Sequence, residues 1–272
     1  MIDSLVFHSN SELLEGPVFD KENNHLYLVS ILDYLVYFHN PHTKEVLSIK
    51  LDSPVSCIYL LGYKKVLAVS KNGFFEIDFN TLEKKFAFQI DIDDAVRYND
   101  GIKDPIGRYI IGTMGYPQVK KNIGQVFSYH NGQYKTIIKN TTISNGLAFS
   151  LDNKWLYFID TPTQKVAKYS YDLITGDVKF DSYIIELQDR GSPDGMCIDT
   201  NGMLWIAEWG GSCVSQWNPI SGVKLKHIEL PCTNVTSCCF DTNANLYVTT
   251  AKSESKKDIY GGGLYYLELN KI

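Results

Sequence analysis

Ser144-Asn145-Gly146-Leu147-Ala148-Phe149-Ser150, then Leu156-Tyr157-Phe158-Ile159, Val166-Ala167-Lys168-Tyr169 and Ile184-Ile185-Glu186-Leu187: this stretch decides the fold. Four short runs of β-branched and aromatic residues follow one another, and none has the length or period of an amphipathic helix. A polar residue directly before a glycine opens the first run. The same opening recurs at Glu15-Gly16, Asp100-Gly101 and Asp194-Gly195, with degenerate copies at Val55-Ser56 and Thr236-Ser237. The small residues stand at 16, 56, 101, 146, 195 and 237, in steps of 40, 45, 45, 49 and 42. A period of that size marks a repeat architecture.

The copies agree beyond the anchor. Second runs begin eight to ten residues after each small residue, at Leu26-Tyr27-Leu28-Val29, Val66-Leu67-Ala68-Val69, Tyr109-Ile110-Ile111, Leu204-Trp205-Ile206 and Leu246-Tyr247-Val248. Third and fourth runs follow, such as Val36-Tyr37-Phe38 and Val46-Leu47-Ser48-Ile49, with Asn131-Gly132 and Asn201-Gly202 as turns between strands. Four short strands per unit of this length describe a propeller blade. The expectation is an all-β, six-bladed β-propeller of four-stranded blades, residues 1–272 forming a single domain. Only three strands fit after Ser237, so Ser4-Leu5-Val6-Phe7 is expected to supply the missing outer strand and close the ring, which removes exposed sheet edges.

Composition bounds the function. The formal charge of −5 comes with no basic stripe, which excludes a nucleic-acid partner. Lys120-Lys121 and Lys256-Lys257 read as solvated loop tips. Met1 to Asn10 lacks a cationic segment followed by an apolar core, and no run reaches the ~20 apolar residues of a membrane helix. A cytoplasmic protein without a membrane partner or obligatory protein partner is expected. Cys57, Cys197, Cys238 and Cys239 fall just after anchors and read as small core hydrophobes. His39 and His42 flank Pro41 in a turn and read as exposed loop residues. No nucleophile elbow or phosphate-binding glycine loop is present.

The innermost strand of each blade lines a propeller's central channel. The residues before the anchors, Glu15, Val55, Asp100, Asn145, Asp194 and Thr236, would therefore face it. Carboxylates with an amide oxygen form a hard oxygen donor set suited to Ca²⁺, Mg²⁺ or Mn²⁺, with Zn²⁺ also open. Converging carboxylates raise each other's pKa unless a cation neutralises them. The plainer reading is that such pairs are turn residues that cap strands. Arg97-Tyr98-Asn99-Asp100 adds a guanidinium that either binds a substrate or pairs with Asp93 or Asp94, while Tyr98 packs.

At these residues the chain resembles the family of regucalcin (senescence marker protein), gluconolactonase and luciferin-regenerating enzyme. The resemblance is carried by Leu14-Glu15-Gly16-Pro17-Val18-Phe19, Arg97-Tyr98-Asn99-Asp100-Gly101, Gly112-Thr113-Met114, Ser144-Asn145-Gly146-Leu147 and Pro193-Asp194-Gly195-Met196. Thr236-Ser237-Cys238-Cys239-Phe240 is similar to the regucalcin branch. The resemblance implies one divalent metal held by Glu15, Asn145 and Asp194, with Asp194 also the general base. It places Arg97 and Asn99 at the substrate, with Asp100 beside them. One departure stands out: the acidic residue that regucalcin-like members carry shortly after Gly-Thr-Met is missing from Gly115-Tyr116-Pro117-Gln118-Val119-Lys120-Lys121.

The expected function is a divalent-metal-dependent lactonase acting on a small, sugar-type lactone. Two alternatives are a calcium-binding regulatory protein with incidental hydrolysis, and a propeller used only as an interaction platform.

Overall fold

The computed structural model describes residues 5–188, 191–254, 258 and 260–271. Ser4 of the opening run and the Lys256-Lys257 pair lie outside the described residues. The chain parts into two compact units, residues 1–91 with 230–272, and residues 92–229.

In the first unit, β2 (Leu14–Asp20), β3 (His25–Ser30), β4 (Leu35–His39) and β5 (Val46–Lys50) form one antiparallel sheet. A second sheet holds β6 (Val55–Gly62), β7 (Lys65–Ser70), β8 (Gly73–Asp78) and β9 (Glu83–Phe88). Further on, β22 (Asn234–Phe240), β23 (Leu246–Ala251) and β24 (Gly263–Leu267) pair in order. The N-terminal β1 (Leu5–His8) adds antiparallel to β24, with His8 opposite Gly263.

In the second unit, β10 (Val96–Lys103), β11 (Tyr109–Gly115), β12 (Gly124–His130) and β13 (Gln133–Thr141) form one sheet. Another holds β14 (Ser144–Phe149), β15 (Trp155–Asp160), β16 (Lys165–Tyr171) and β17 (Val178–Glu186). Strands β18 (Ser192–Ile198), β19 (Leu204–Trp209), β20 (Cys213–Trp217) and β21 (Lys224–Glu229) pair consecutively. The fold is therefore all-β and propeller-like. Among the described residues four separate four-stranded sheets are seen rather than the six expected, because the strands of the last two repeats do not stand as sheets of their own.

Burial falls outward along each set. Every residue of β3 and β23 is buried, whereas β9 is exposed along nearly all its length and carries Glu83, Lys84 and Lys85. A strand covered on both faces reads as a continuous apolar run, and a charged outer strand blunts the sheet edge. Apolar side chains from successive sets share cores. In the first unit Tyr27, Val29 and Phe38 pack with Val55, Ile58 and Phe79. In the second, Ile159 and Ala148 pack with Met196 and Ile206.

The anchors are not turns. At all six the pairing register slips inside the first strand: between Glu15 and Val18, Val55 and Cys57, Tyr98 and Gly101, Asn145 and Leu147, Pro193 and Met196, and Val235 and Ser237. Such a β-bulge adds a residue to one strand and re-aims the side chains around it. The need for a small residue has local causes. Gly16 sits at φ +51, and a Cβ on Gly146 would lie 2.6 Å from the Asp194 carbonyl oxygen.

Two sequence expectations change. His39 is buried at the end of β4 rather than exposed in a turn; its Nδ1 lies 3.3 Å from the Glu45 carbonyl oxygen and its ring meets Phe7. Burial pushes its pKa down to about 4, so the ring stays neutral, while His42 is exposed as expected. Cys57 and Cys238 are buried, but Cys197 and Cys239 are only half-buried, and all six cysteines remain thiols. Among the described residues no helix is long and apolar enough to cross a membrane.

Candidate functional site

The second unit places its three first strands side by side, and the site residues fall on them at the bulges. Arg97, Asn99 and Asp100 lie on β10, Asn145 on β14 and Asp194 on β18. Arg97, Asn99, Asn145 and Asp194 are buried. Glu15 belongs to β2 of the first unit, where it too is buried.

Hydrogen bonds tie β10 to β14. The Arg97 Nη1 donates to the Tyr98 carbonyl oxygen and to Asn99 Oδ1, both at 2.8 Å. Asn99 Nδ2 then donates to the Ser144 carbonyl oxygen at 2.9 Å. Asn99 thus clamps the guanidinium to the strand that carries Asn145. Each end of its amide keeps one further hydrogen-bonding position. Tyr98 is fully buried, as its reading as packing requires.

A second set of bonds joins β14 to β18. Asn145 Nδ2 donates to Thr161 Oγ1 at 3.0 Å, and Thr161 Oγ1 donates to the Pro193 carbonyl oxygen at 2.8 Å, one residue before Asp194. The neighbouring Asp160 carboxylate accepts the N–H groups of Thr142 and Ile143, at 2.8–3.1 Å, and so pins the chain entering β14. Burial nonetheless holds the Asp160 carboxyl above its ordinary value. Neither Asp160 nor Thr161 was visible as a site residue in the sequence. The only trace was their place directly after the second apolar run of the repeat.

The carboxylates before glycine share a local bond. Glu15 Oε2 accepts the Gly16 N–H at 3.0 Å, and Asp100 Oδ1 accepts the Gly101 N–H at 2.7 Å. Burial pushes the Asp100 carboxyl up to about 6, and the Gly101 hydrogen bond offsets part of that rise. Like-charge repulsion was the expected cause; desolvation is the one found. Opposite Pro193 stands Glu208, fully buried, which accepts from the Ser215 hydroxyl at 2.6 Å and pairs with Lys224 at 3.6 Å. After Gly112-Thr113-Met114, Tyr116 is half-buried and Gln118 exposed.

The arrangement is a buried cluster of oxygen and nitrogen donors on adjacent bulged strands, with a clamped guanidinium at one side. The fold is that of a propeller-like protein, with a polar cluster on the first strands of its second unit. A family model for the SMP-30/Gluconolactonase/LRE-like region matches residues 13–252, and the chain belongs to that family. A Bacillus subtilis protein provisionally named a sugar lactone lactonase is 34% identical over 265 residues, covering 94% of this chain and 90% of that one. Regucalcin of Xenopus laevis is 33% identical, covering 92% and 89%. Among solved structures, a luciferin-regenerating enzyme superposes with a TM-score of 0.89 at 25% identity, over 97% of this chain and 94% of that one. A calcium-binding protein, regucalcin, from Agrobacterium tumefaciens gives 0.90 at 24% identity, over 97% and 92%, and shows the fold alone.

Proposed function

We propose that this chain is a divalent-cation-dependent lactonase that opens a small, sugar-type lactone to its hydroxy acid. In this reading it is one six-bladed propeller domain closed by its N-terminal strand. The observation that carries it is the hydrogen-bonded run from Arg97 through Asn99 to β14, and from Asn145 through Thr161 to β18. Family membership and the sugar lactone lactonase relative supply the class of reaction.

The residues suit a hard cation. Asn145 and Asp194 are buried and offer oxygen, and the Asn145 amide nitrogen is occupied by Thr161, which leaves Oδ1 as its donor. The family resemblance adds Glu15 as a third proposed ligand for Ca²⁺, Mg²⁺, Mn²⁺ or Zn²⁺. When bound, such a cation supplies electrophilic polarisation of an ester carbonyl. The Asp194 carboxylate takes the proton of the attacking water, and the buried position of that carboxylate keeps competing solvent away. Arg97, held by Asn99, orients the ring oxygens of the substrate, with Asp100 beside them; fixed orientation lowers the entropic cost of reaching the transition state. Without an acidic residue after Gly112-Thr113-Met114, hydroxyl recognition there differs from that of regucalcin-like relatives.

The regucalcin relatives favour a second reading, a calcium-binding regulatory protein with incidental hydrolysis. One experiment separates the two. Apo-protein is assayed against a panel of lactones with Ca²⁺, Mg²⁺, Mn²⁺ or Zn²⁺ added back singly. Cation-dependent turnover of at least one lactone is expected. Calcium binding without turnover of any lactone would overturn the enzymatic reading in favour of the second.

A further inference from the structure

Thr161 carries a single hydroxyl proton. That proton goes to the Pro193 carbonyl oxygen, at 2.8 Å, because a carbonyl can only accept. Toward Asn145 the Thr161 oxygen is then left as an acceptor, and the group that faces it at 3.0 Å must be the amide NH₂. A flipped amide would set two acceptors against each other. The hydroxyl itself is held independently of Asn145. The Thr161 N–H donates to the Ile143 carbonyl oxygen at 3.2 Å, the Thr163 hydroxyl donates to the Asp160 carbonyl oxygen at 2.7 Å, and residues Thr161–Thr163 form a 3₁₀ turn with Pro162 in its first positions. A rigid turn thus presents one acceptor to one amide.

We propose that Thr161 is a positioning residue for Asn145, fixing the amide with Nδ2 toward Thr161 and Oδ1 away from it, as the atom that meets a divalent cation. The cation half of this inference rests on the function proposed above; the amide orientation does not. A hydroxyl in this role also links two ligand-bearing strands, since its proton goes to the residue preceding Asp194. Outer partners that fix a ligand's orientation are worth about 10–100-fold in metal affinity.

The test uses the full chain with Thr161→Val, which keeps the shape but not the hydroxyl, and Thr161→Ser, which keeps the hydroxyl. Two readouts are taken on each. The first is the side-chain ¹H–¹⁵N pair of Asn145 in cation-free protein, assigned by its loss in Asn145→Asp. The second is Ca²⁺ and Mn²⁺ affinity by calorimetry, with a thermal melt to confirm folding. In Thr161→Val the amide pair is expected to move and lose its hydrogen-bonded character, with affinity down about 10–100-fold. Thr161→Ser restores both. An Asn145 pair that stays unmoved in Thr161→Val overturns the orientation, whatever the cation does. An amide that moves while affinity is unchanged overturns Thr161 as a positioning residue for the cation. A wild-type protein with the expected amide signature but no affinity for either cation overturns the cation reading and leaves the orientation standing.

Discussion

Three first strands carry a carboxylate at the bulge and four carry one at or just past the far end, and Asp100 and Asp104 show how differently such groups can behave. At the bulge stand Glu15, Asp100 and Asp194; Asp20 ends its strand, and Asp104, Asp199 and Asp241 directly follow theirs. The far-end carboxylates close the turn into the second strand. Asp104 Oδ1 accepts the N–H groups of Ile106 and Arg108, Asp199 Oδ1 those of Asn201 and Met203, and Asp241 Oδ1 those of Asn243 and Asn245. Their second oxygens are taken as well: Arg108 and Tyr171 bond Asp104 Oδ2, Trp205 and Gln216 bond Asp199 Oδ2, and Tyr266 bonds Asp241 Oδ2. Desolvation alone would raise the Asp104 carboxyl, but its bonds from Tyr171 and Arg108 outweigh that and hold it below its ordinary value. Asp100, four residues earlier and within β10, has the Gly101 N–H against its own desolvation and is pushed up to about 6. Desolvation acts on both; the supply of donors decides the sign. A saturated carboxylate is a structural part, whereas one that keeps an unfavourable charge is a candidate for chemistry.

The largest effect is expected at Asp194, the proposed base. Asp194→Asn should lower lactone turnover by about 10²–10⁴-fold, as measured by initial rates at a cation concentration that calorimetry shows to saturate the variant. Full activity in that variant would remove Asp194 as the base. At the other end, Asp104→Ala leaves the Arg108 guanidinium buried without its partner and should cost about 3–5 kcal/mol in urea unfolding, with turnover per folded molecule unchanged. A loss of turnover in excess of the loss of folded protein would erase the distinction between the two ends. The smallest effect concerns Asp100. Its folded pKa lies above its unfolded one, so its contribution to stability is complete below about pH 4 and is lost as pH rises through about 6. Asp100→Asn should flatten that decline, and the difference in unfolding free energy between wild type and variant should shift by on the order of 2 kcal/mol between pH 4 and pH 7. Parallel stability profiles would show that Asp100 is solvated in the folded state.

Much of the architecture was legible from residue type. The runs at Leu26–Val29, Leu156–Ile159 and Leu246–Val248 all lie within second strands, because a strand covered on both faces demands a local, continuous apolar run. Asn131-Gly132 was legible for the same local reason: both residues adopt positive φ, which the two-residue hairpin between β12 and β13 requires. The polar-residue-before-glycine pairs were found as a repeat, and Glu15, Asn145 and Asp194 do lie near the starts of their strands, but the register slip at each was not foreseen. Register is a relation between two strands, so a bulge leaves no mark in one strand's own sequence beyond the small residue it favours.

By itself the sequence determined the all-β class, the phase of the repeat, the family and the residues of interest, since propensity, period and motif all act over a few neighbouring positions. Tertiary structure alone decided what those residues touch. Thr161 reaches Asn145 across 16 positions and Pro193 across 32, and Tyr171 reaches Asp104 across 67. The burial of His39, the saturation of Asp104 and the single donor on Asp100 are likewise set by neighbours that only folding brings near. A hydrogen bond depends on a distance of about 3 Å and on which partner holds the proton, and neither quantity is written in the order of residues along the chain.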